Sequence, residues 1–422
     1  MPGNVPQPTR NFFVLAAYQI VWRCGWIFKT ESIVMPVVLD LLGGGAWARS
    51  FLPLLNRFGL SIPPLLMARR IKVMRRKKWA LFVCTALMAL SLLALSGIWA
   101  VRGASGANWM PLAFLAAYAL FFMCTGVNQM SFNTLQGKLV KAARRGRLML
   151  VANVLGSVGA IALVILLLPQ WLTSEDGRFE WIFGFSACCF ALAALQSLVL
   201  AEPPDDYRQP VTRISQRFVD VWLTLRRDAR FRRLAIIASL FGVSVMLLPH
   251  YQALARGDRM EIGLRHIIGW LVVQNAGTAL FSLVAGPLAD WRGNRLVLRL
   301  TLLALCGAPI VALGLSHVGP AGRPWFPLVF LLVGLTPVTM RTLHNYTLEM
   351  SSPEDHPQYL SAMTLAMAAP IFFSPLVGVL IGKIGFDAVF CGITCAILAG
   401  WAMTFGLFEP RHRDTTHPPE CL

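Results

Sequence analysis

Long apolar runs recur along this chain, and basic residues crowd into alternate gaps between them. Several runs approach or exceed the ~20 residues that an α-helix needs to cross a bilayer. They are solid rather than alternating, which excludes a transmembrane β-barrel built of short period-two strands. Composition agrees: 56% of residues are hydrophobic and 14% charged, against about 25% charged in ordinary soluble domains. The fold class is therefore an all-α polytopic membrane protein. About twelve spans are expected, near 11–42, 46–68, 79–101, 108–133, 148–170, 180–200, 233–253, 265–288, 295–316, 325–348, 358–382 and 385–408. Trp79, Trp99, Trp109, Trp171, Trp181 and Trp325 fall near span ends, as interfacial anchors do.

The formal charge of +18 is placed as a membrane protein places it. Arg69, Arg70, Lys72, Arg75, Arg76, Lys77 and Lys78 lie between spans two and three, and Lys138, Lys141, Arg144, Arg145 and Arg147 between four and five. The positive-inside rule puts these loops and both termini in the cytoplasm of a multi-pass inner-membrane protein. No separate polar domain exists to take a polyanion, so no nucleic acid is expected as partner. The nine cysteines lie mostly within apolar segments without a Cys-x-x-Cys framework, which indicates neither zinc nor disulfides. The first span holds Arg23, Lys29 and Glu31, a poor core for a cleaved signal peptide. Residues 201–232 form the one long polar connection. It opens Glu202-Pro203-Pro204-Asp205-Asp206, which breaks the sixth helix. Ile214, Phe218, Val221, Trp222 and Leu225 then follow at the spacing of an interfacial amphipathic helix. The expected organisation is a six-helix bundle over 1–200, this linker, a second six-helix bundle over 233–410, and a cytoplasmic tail over 411–422.

Residues 286–295 read Gly-Pro-Leu-Ala-Asp-Trp-Arg-Gly-Asn-Arg between two apolar runs. Gly286 would let helices approach closely, Gly293 would take positive φ in a short turn, and Arg292 and Arg295 would hold the loop on the cytoplasmic side. With Asp290, this stretch resembles the loop signature of the major facilitator superfamily, Gly-x-Leu-Ala-Asp-Arg-x-Gly-Arg-Arg, departing from it at Trp291 and Asn294. Arg145-Gly146-Arg147 matches the family's basic element after the fourth span, and Ser374-Pro375, Gly378 and Gly382 suit its eleventh. Residues 133–147 and 345–359 occupy equivalent places 212 residues apart. The first-half copy of the signature, expected at 68–78, keeps only its charge run, so no gate contacts of its aspartate carry over. Gly156 and Gly159 of span five lack the element associated with drug–proton antiporters. The resemblance implies two six-helix halves that rock about a central path lined by the first, fourth, seventh and tenth helices.

Candidate site residues follow from polar groups at membrane depth, which face a cavity or a partner. At 100° per residue, Gln19, Trp22, Arg23, Trp26 and Thr30 share a face of span one, with Lys29 at its edge. An arginine between two tryptophans suits an anionic group on a flat body; the structural alternative pairs Arg23 with another helix. Glu31 is the candidate proton carrier, with a salt bridge as its alternative. Asp40 reads as solvated near the outer surface. In span four, Thr125, Asn128, Gln129 and Gln136 form a polar stripe, for substrate contact or interhelical hydrogen bonding. In span seven, Ser244 and Tyr251 share a face, with His250 near the outer end. In span ten, Arg341, His344 and Asn345 suit an anion group or gate, against plain snorkelling of Arg341.

No phosphate-binding Gly-x-x-x-x-Gly-Lys-Ser/Thr loop, His-Glu-x-x-His or nucleophile elbow is present, so no ATP drive, metal, cofactor or enzyme chemistry is expected. The expected function is a secondary active transporter of a small organic solute, the sharper form being an anionic one, with protons as candidate coupling ion. Membrane lipids surround it, and monomer is the default state for the resemblance. Two alternatives stay open: efflux of amphipathic compounds by proton antiport, and a non-transporting sensor or lipid-acting protein.

Overall fold

The computed structural model describes residues 8–105, 108–172, 177–205, 222–351 and 355–408. These are mostly helical, with no strand among the described residues. Most of the expected linker helix and the tail lie outside them. The chain divides into two compact units, Met1–Val211 with Gly263–Ile268, and Thr212–Ile262 with Gly269–Leu422.

In unit 1 the first span is two helices, α1 (Pro8–Ile27) and α2 (Val34–Leu41), separated by a non-helical stretch. The single helix expected over 11–42 is thereby corrected. The interruption has a local cause, because Phe28-Lys29-Thr30-Glu31-Ser32 puts four polar residues into an otherwise apolar run. Backbone groups at membrane depth need internal partners, and Thr30 supplies them. Its carbonyl accepts the N–H of Ile33, Val34 and Met35 at 3.3, 3.0 and 3.1 Å, and its hydroxyl donates to Ile27 O at 2.7 Å. Four long helices and a shorter one follow: α3 (Gly45–Val73), α4 (Lys78–Ser105), α5 (Met110–Leu139), α6 (Ala142–Trp171) and α7 (Phe179–Leu198).

Helices α3 and α5 cross where two glycines meet. A Cβ on Gly59 would lie 2.4 Å from the Phe122 carbonyl carbon, and one on Gly126 would lie 2.3 Å from Gly59 O. Only bare backbone allows that approach, and it fixes residues 56–57 of α3 against 118–122 of α5. At one end of the unit, Leu15, Tyr18, Leu81, Phe132, Leu135 and Leu148 form a continuous core. Leu150, Val154, Val158 and Leu166 of α6 are exposed, as a lipid-facing stripe is. Among the expected anchors, Trp79, Trp109, Trp181 and Trp325 are exposed. Trp99 instead is buried, with its ring 4.9 Å from Phe179.

Unit 2 repeats this plan. Its first span is also interrupted, between α8 (Ala229–Val245) and α9 (Leu248–Arg256), just before Pro249. Asp228 caps α8, its Oδ1 accepting the N–H of Arg230 and Phe231 at 2.9 Å. Then come α10 (Ile267–Arg292), α11 (Asn294–Val318), α12 (Pro327–Val333), α13 (Leu335–Met350), α14 (His356–Ala368) and α15 (Ser374–Met403). A glycine crossing recurs: a Cβ on Gly277 would lie 2.5 Å from Leu331 O, and one on Gly334 would lie 2.7 Å from Gln274 O.

Ten stretches of the described residues are long and apolar enough to cross a membrane. The last, Gln358–Gly406, runs for 49 residues through the non-helical Gly385 and so holds the last two expected spans. The broken first span is not among the ten, which accounts for the difference from twelve.

Candidate functional site

The break in the first span brings Lys29 and Glu31 together with Arg57 of α3. Lys29 is 2% exposed. Its Nζ lies 3.1 Å from the ring centroid of Trp26, 4.2 Å from Phe122 and 5.0 Å from Phe121. Glu31 accepts a hydrogen bond from Asn56 Nδ2 on α3. The charges of Lys29 and Arg57 and the hydroxyl of Tyr118 act on the same carboxylate. Helix ends explain why charges are tolerated at this place. Lys29 follows the negative C-terminal end of α1, and Glu31 precedes the positive N-terminal end of α2. Trp22 stacks on Trp26 at 4.4 Å, and Phe121 and Phe122 pack on Trp26 at 5.9 and 6.0 Å. The result is a charged cluster walled by aromatic faces.

The expected site residues divide among several places. Trp22, Trp26, Thr30 and Glu31 meet at the break, although Thr30 serves there to close the backbone. Arg23 turns to α6, where its guanidinium donates to Asn153 Oδ1. Gly156 makes room for it: a Cβ there would lie 2.6 Å from Arg23 Cδ. Gln19 is half-buried one turn and more below. Asn128 belongs to a buried knot, donating to Tyr18 Oη and Thr85 Oγ1 at 2.7 Å each, with those two oxygens 2.9 Å apart. This is interhelical bonding among α1, α4 and α5. Gln129 next to it is exposed, since neighbours on a helix face different ways. Asp40, expected to be solvated, forms an ion pair with Arg49 of α3.

In unit 2, Tyr251 is buried on α9 with its ring edge-on to Phe390 at 5.4 Å. Arg341 of α13 is exposed. In the 286–295 stretch, Gly293 has φ 86° and forms the turn between α10 and α11. Arg295 donates to Leu407 O at 3.1 Å, Arg292 lies 4.3 Å over Trp291, and Asp290 is exposed. Gly286 departs from expectation. A Cβ there would meet no atom within 4 Å, so it serves no close helix approach.

Two features escaped sequence reasoning. Asn56 and Arg57 sit in an apolar run, and their polarity at membrane depth was the available signal. The basic run before span three takes its acids from the segment after α7. Glu202 Oε1 accepts Lys77 N at 2.9 Å and Lys138 Nζ at 2.9 Å, and its Oε2 accepts Lys78 N at 2.8 Å. Asp205 pairs with Lys77 and with Lys138 at 3.0 Å. Burial by itself raises the Asp205 pKa, but the hydrogen bonds and charges of Lys77 and Lys138 outweigh it and hold the carboxyl below its usual value. No cluster of metal-binding side chains occurs among the described residues, and the eight described cysteines are free.

A bundle of apolar helices of membrane-crossing length defines a polytopic α-helical membrane protein. The sequence matches the family model for the Major Facilitator Superfamily over residues 50–273 and 257–420, and the chain belongs to that family. Comparison with curated protein sequences gives no match. Among solved structures, a mutant of the nucleoside transporter NupG is similar with a TM-score of 0.72 at 13% identity, over 94% of this chain and 100% of that one. The D-xylose-proton symporter gives 0.68 at 13% identity, over 95% and 98%. A POT family transporter in complex with a thioalcohol-conjugated peptide gives 0.70 at 13% identity, over 94% and 96%. At such identities the likeness is one of fold.

Proposed function

We propose that this chain is a secondary active transporter that moves a small organic solute by alternating access. One observation carries the reading: Lys29, Glu31 and Arg57 gather at a break in a membrane span of this family's fold. Ionisable groups at that depth are costly and mark solute or ion pathways, and broken helices frame the sites of secondary transporters. In this reading the break is a solute-contact site of unit 1, and Tyr251 and Arg341 are solute-contact residues of unit 2. Glu31 carries the coupling proton, exchanging it as its Asn56, Arg57 and Lys29 surroundings change. The chain works as a monomer in the inner membrane with both termini cytoplasmic, and it is not an enzyme.

Solute counterflow in proteoliposomes tests this reading. Vesicles loaded with a single unlabelled solute, drawn from nucleosides, sugars, short peptides and organic acids, are given the labelled form outside. The expected result is transient accumulation for one chemical class and its loss in Glu31→Ala with Arg57→Ala. Absence of exchange for every class in the wild-type protein overturns the proposal.

A further inference from the structure

We infer that unit 2 holds a headgroup site for an anionic phospholipid, in a cavity where Arg227 and Arg230 are the phosphate-binding residues. The site lies apart from the break in the first span, and it rests on the reading above only for the side of the membrane it faces.

The cavity measures about 630 Å³ and is formed wholly by residues of unit 2. Thr224 and Arg227 line it from the end of the linker, Arg230 from α8, and Gln358 and Tyr359 from α14. Two cross-links hold these walls together. Gln358 Nε2 donates to Thr224 Oγ1 at 2.5 Å, and Tyr359 Oη donates to Asp228 Oδ2 at 3.1 Å. The other oxygen of Asp228 accepts the N–H of Arg230 and Phe231. The uncharged polar groups and Asp228 are thus engaged with one another across the cavity.

The arginines are not. Arg226, Arg227, Arg230, Arg232 and Arg233 fall within eight residues, and none of them forms an ion pair among the described residues. Asp228 and Asp355 line the same cavity, yet neither pairs with a guanidinium there. Arg232 reaches the carbonyls of Leu225 and Arg226, and Arg233 that of Gly406. Arg230 stands 5.1 Å over the Phe408 ring, and Arg227 is exposed.

In open water such arginines need no partner, but their depth puts them against the bilayer surface. Three span ends meet here: one span begins at Ala229, another stretch begins at Gln358, and that stretch ends at Gly406, the residue Arg233 touches. The guanidiniums therefore stand at the level where the helices leave the hydrocarbon. Ile236, Phe405 and Phe408, on the membrane side of that level, are exposed, as acyl-facing groups are, and the exposed Trp222 suits the interface. A guanidinium fork matches a phosphate with two parallel hydrogen bonds, and basic residues beside a membrane attract anionic lipid. A zwitterionic headgroup would bring its own cation among five arginines, so the negative headgroup is the one that fits.

The test is a thermal melt of the full-length protein in neutral detergent with dioleoylphosphatidylglycerol, dioleoylphosphatidylethanolamine or glycerol phosphate added. Ligand that binds only the native state raises the melting temperature by mass action. Phosphatidylglycerol is expected to raise it saturably, with phosphatidylethanolamine and glycerol phosphate inert at the same concentration. Arg227→Gln and Arg230→Gln should each weaken the apparent affinity about fivefold, the scale of one basic residue at an anionic surface, and together by more. Arg75→Gln with Arg76→Gln removes two exposed arginines from the basic run of unit 1 and should leave the affinity unchanged. Arg227→Glu covers the case in which the Arg230 variant does not fold, and it should abolish the preference for phosphatidylglycerol.

No shift by phosphatidylglycerol overturns the site, as does an equal shift by phosphatidylethanolamine. An equal loss in the unit 1 variant means diffuse attraction to any basic run and overturns it too. Glycerol phosphate that matches the lipid and fails in Arg227→Glu reassigns the cavity to a soluble phosphate and overturns the lipid. Counterflow reads the transport proposal separately: exchange without this lipid effect defeats only the headgroup site, and the lipid effect without exchange defeats only transport.

Discussion

Glu202→Gln is a sharp probe of the packing of unit 1, because it changes charge and donor pattern without changing size. The Glu202 side chain is fully buried, and its oxygens accept two backbone N–H groups and the Lys138 ammonium. An amide has one oxygen to offer. Placed at the Oε1 position, it keeps Lys77 N and Lys138 Nζ but turns its NH2 toward Lys78 N–H. A buried donor left without an acceptor costs about 1–3 kcal/mol. Lys138 loses a charged acceptor as well, which costs about 1 kcal/mol more, since hydrogen bonds to charged groups are the stronger kind. The opposite orientation strands two donors and is worse. The expected loss is therefore about 2–4 kcal/mol. For a unit of about 200 residues each kcal/mol lowers the melting temperature by about 2–4 °C, so a drop of about 4–16 °C is expected by fluorescence-detected size exclusion after heating. Lys138→Gln alone should also destabilise, because Asp205 and the Pro203 carbonyl lose the ammonium together with Glu202. The double variant should fall short of the sum, revealing coupling. A Glu202→Gln protein that melts with the wild type, or strict additivity with Lys138→Gln, refutes the reasoning.

Further expectations concern the same unit and the turn of unit 2. The Asp205 carboxyl is held below its ordinary value of 3.8, so its contribution to stability is full above that value and fades as pH falls through the lower folded value. Asp205→Asn should remove part of the acid loss of melting temperature below pH 3.8, and an unchanged acid limb counts against the pairing. Gly126→Val should prevent stable folding of unit 1, because its Cβ would lie 2.3 Å from Gly59 O; a normal yield with an unshifted melt contradicts the α3–α5 crossing. Gly286→Ala should be neutral or slightly stabilising, by up to about 1 kcal/mol, since open space surrounds it within a helix. Gly293→Ala should cost about 1–3 kcal/mol, because φ 86° with ψ 163° is a conformation that essentially only glycine adopts; equal melts for these two variants would contradict the account of the turn.

The helical membrane architecture was legible because hydropathy reports what a bilayer demands of a whole segment. The charged break was half legible. Lys29, Thr30 and Glu31 stood out against an apolar run, but a helical wheel carried through the break placed Thr30 on a substrate face and Lys29 at an edge. Once the helix stops at Ile27, angular arithmetic no longer applies beyond it. Arg23 looked functional because its partner, Asn153, lies 130 residues away, and pairing at that separation leaves no local trace. The Asn128 and Gln129 pair shows the same limit: adjacent polar residues read alike, yet the buried one closes a knot with Tyr18 and Thr85 and the other is exposed. Glu202 was read only as part of a helix breaker, since its contacts with Lys77, Lys78 and Lys138 depend on where α7 ends.

The most direct test of the central claim is proton-driven uptake into proteoliposomes of whichever solute passes counterflow. An inward proton gradient should accumulate the solute above its external concentration, and a protonophore should collapse that accumulation. Glu31→Gln should still exchange solute while losing accumulation, and Lys29→Gln should lose both. Uptake that ignores the gradient and persists in both variants contradicts the account.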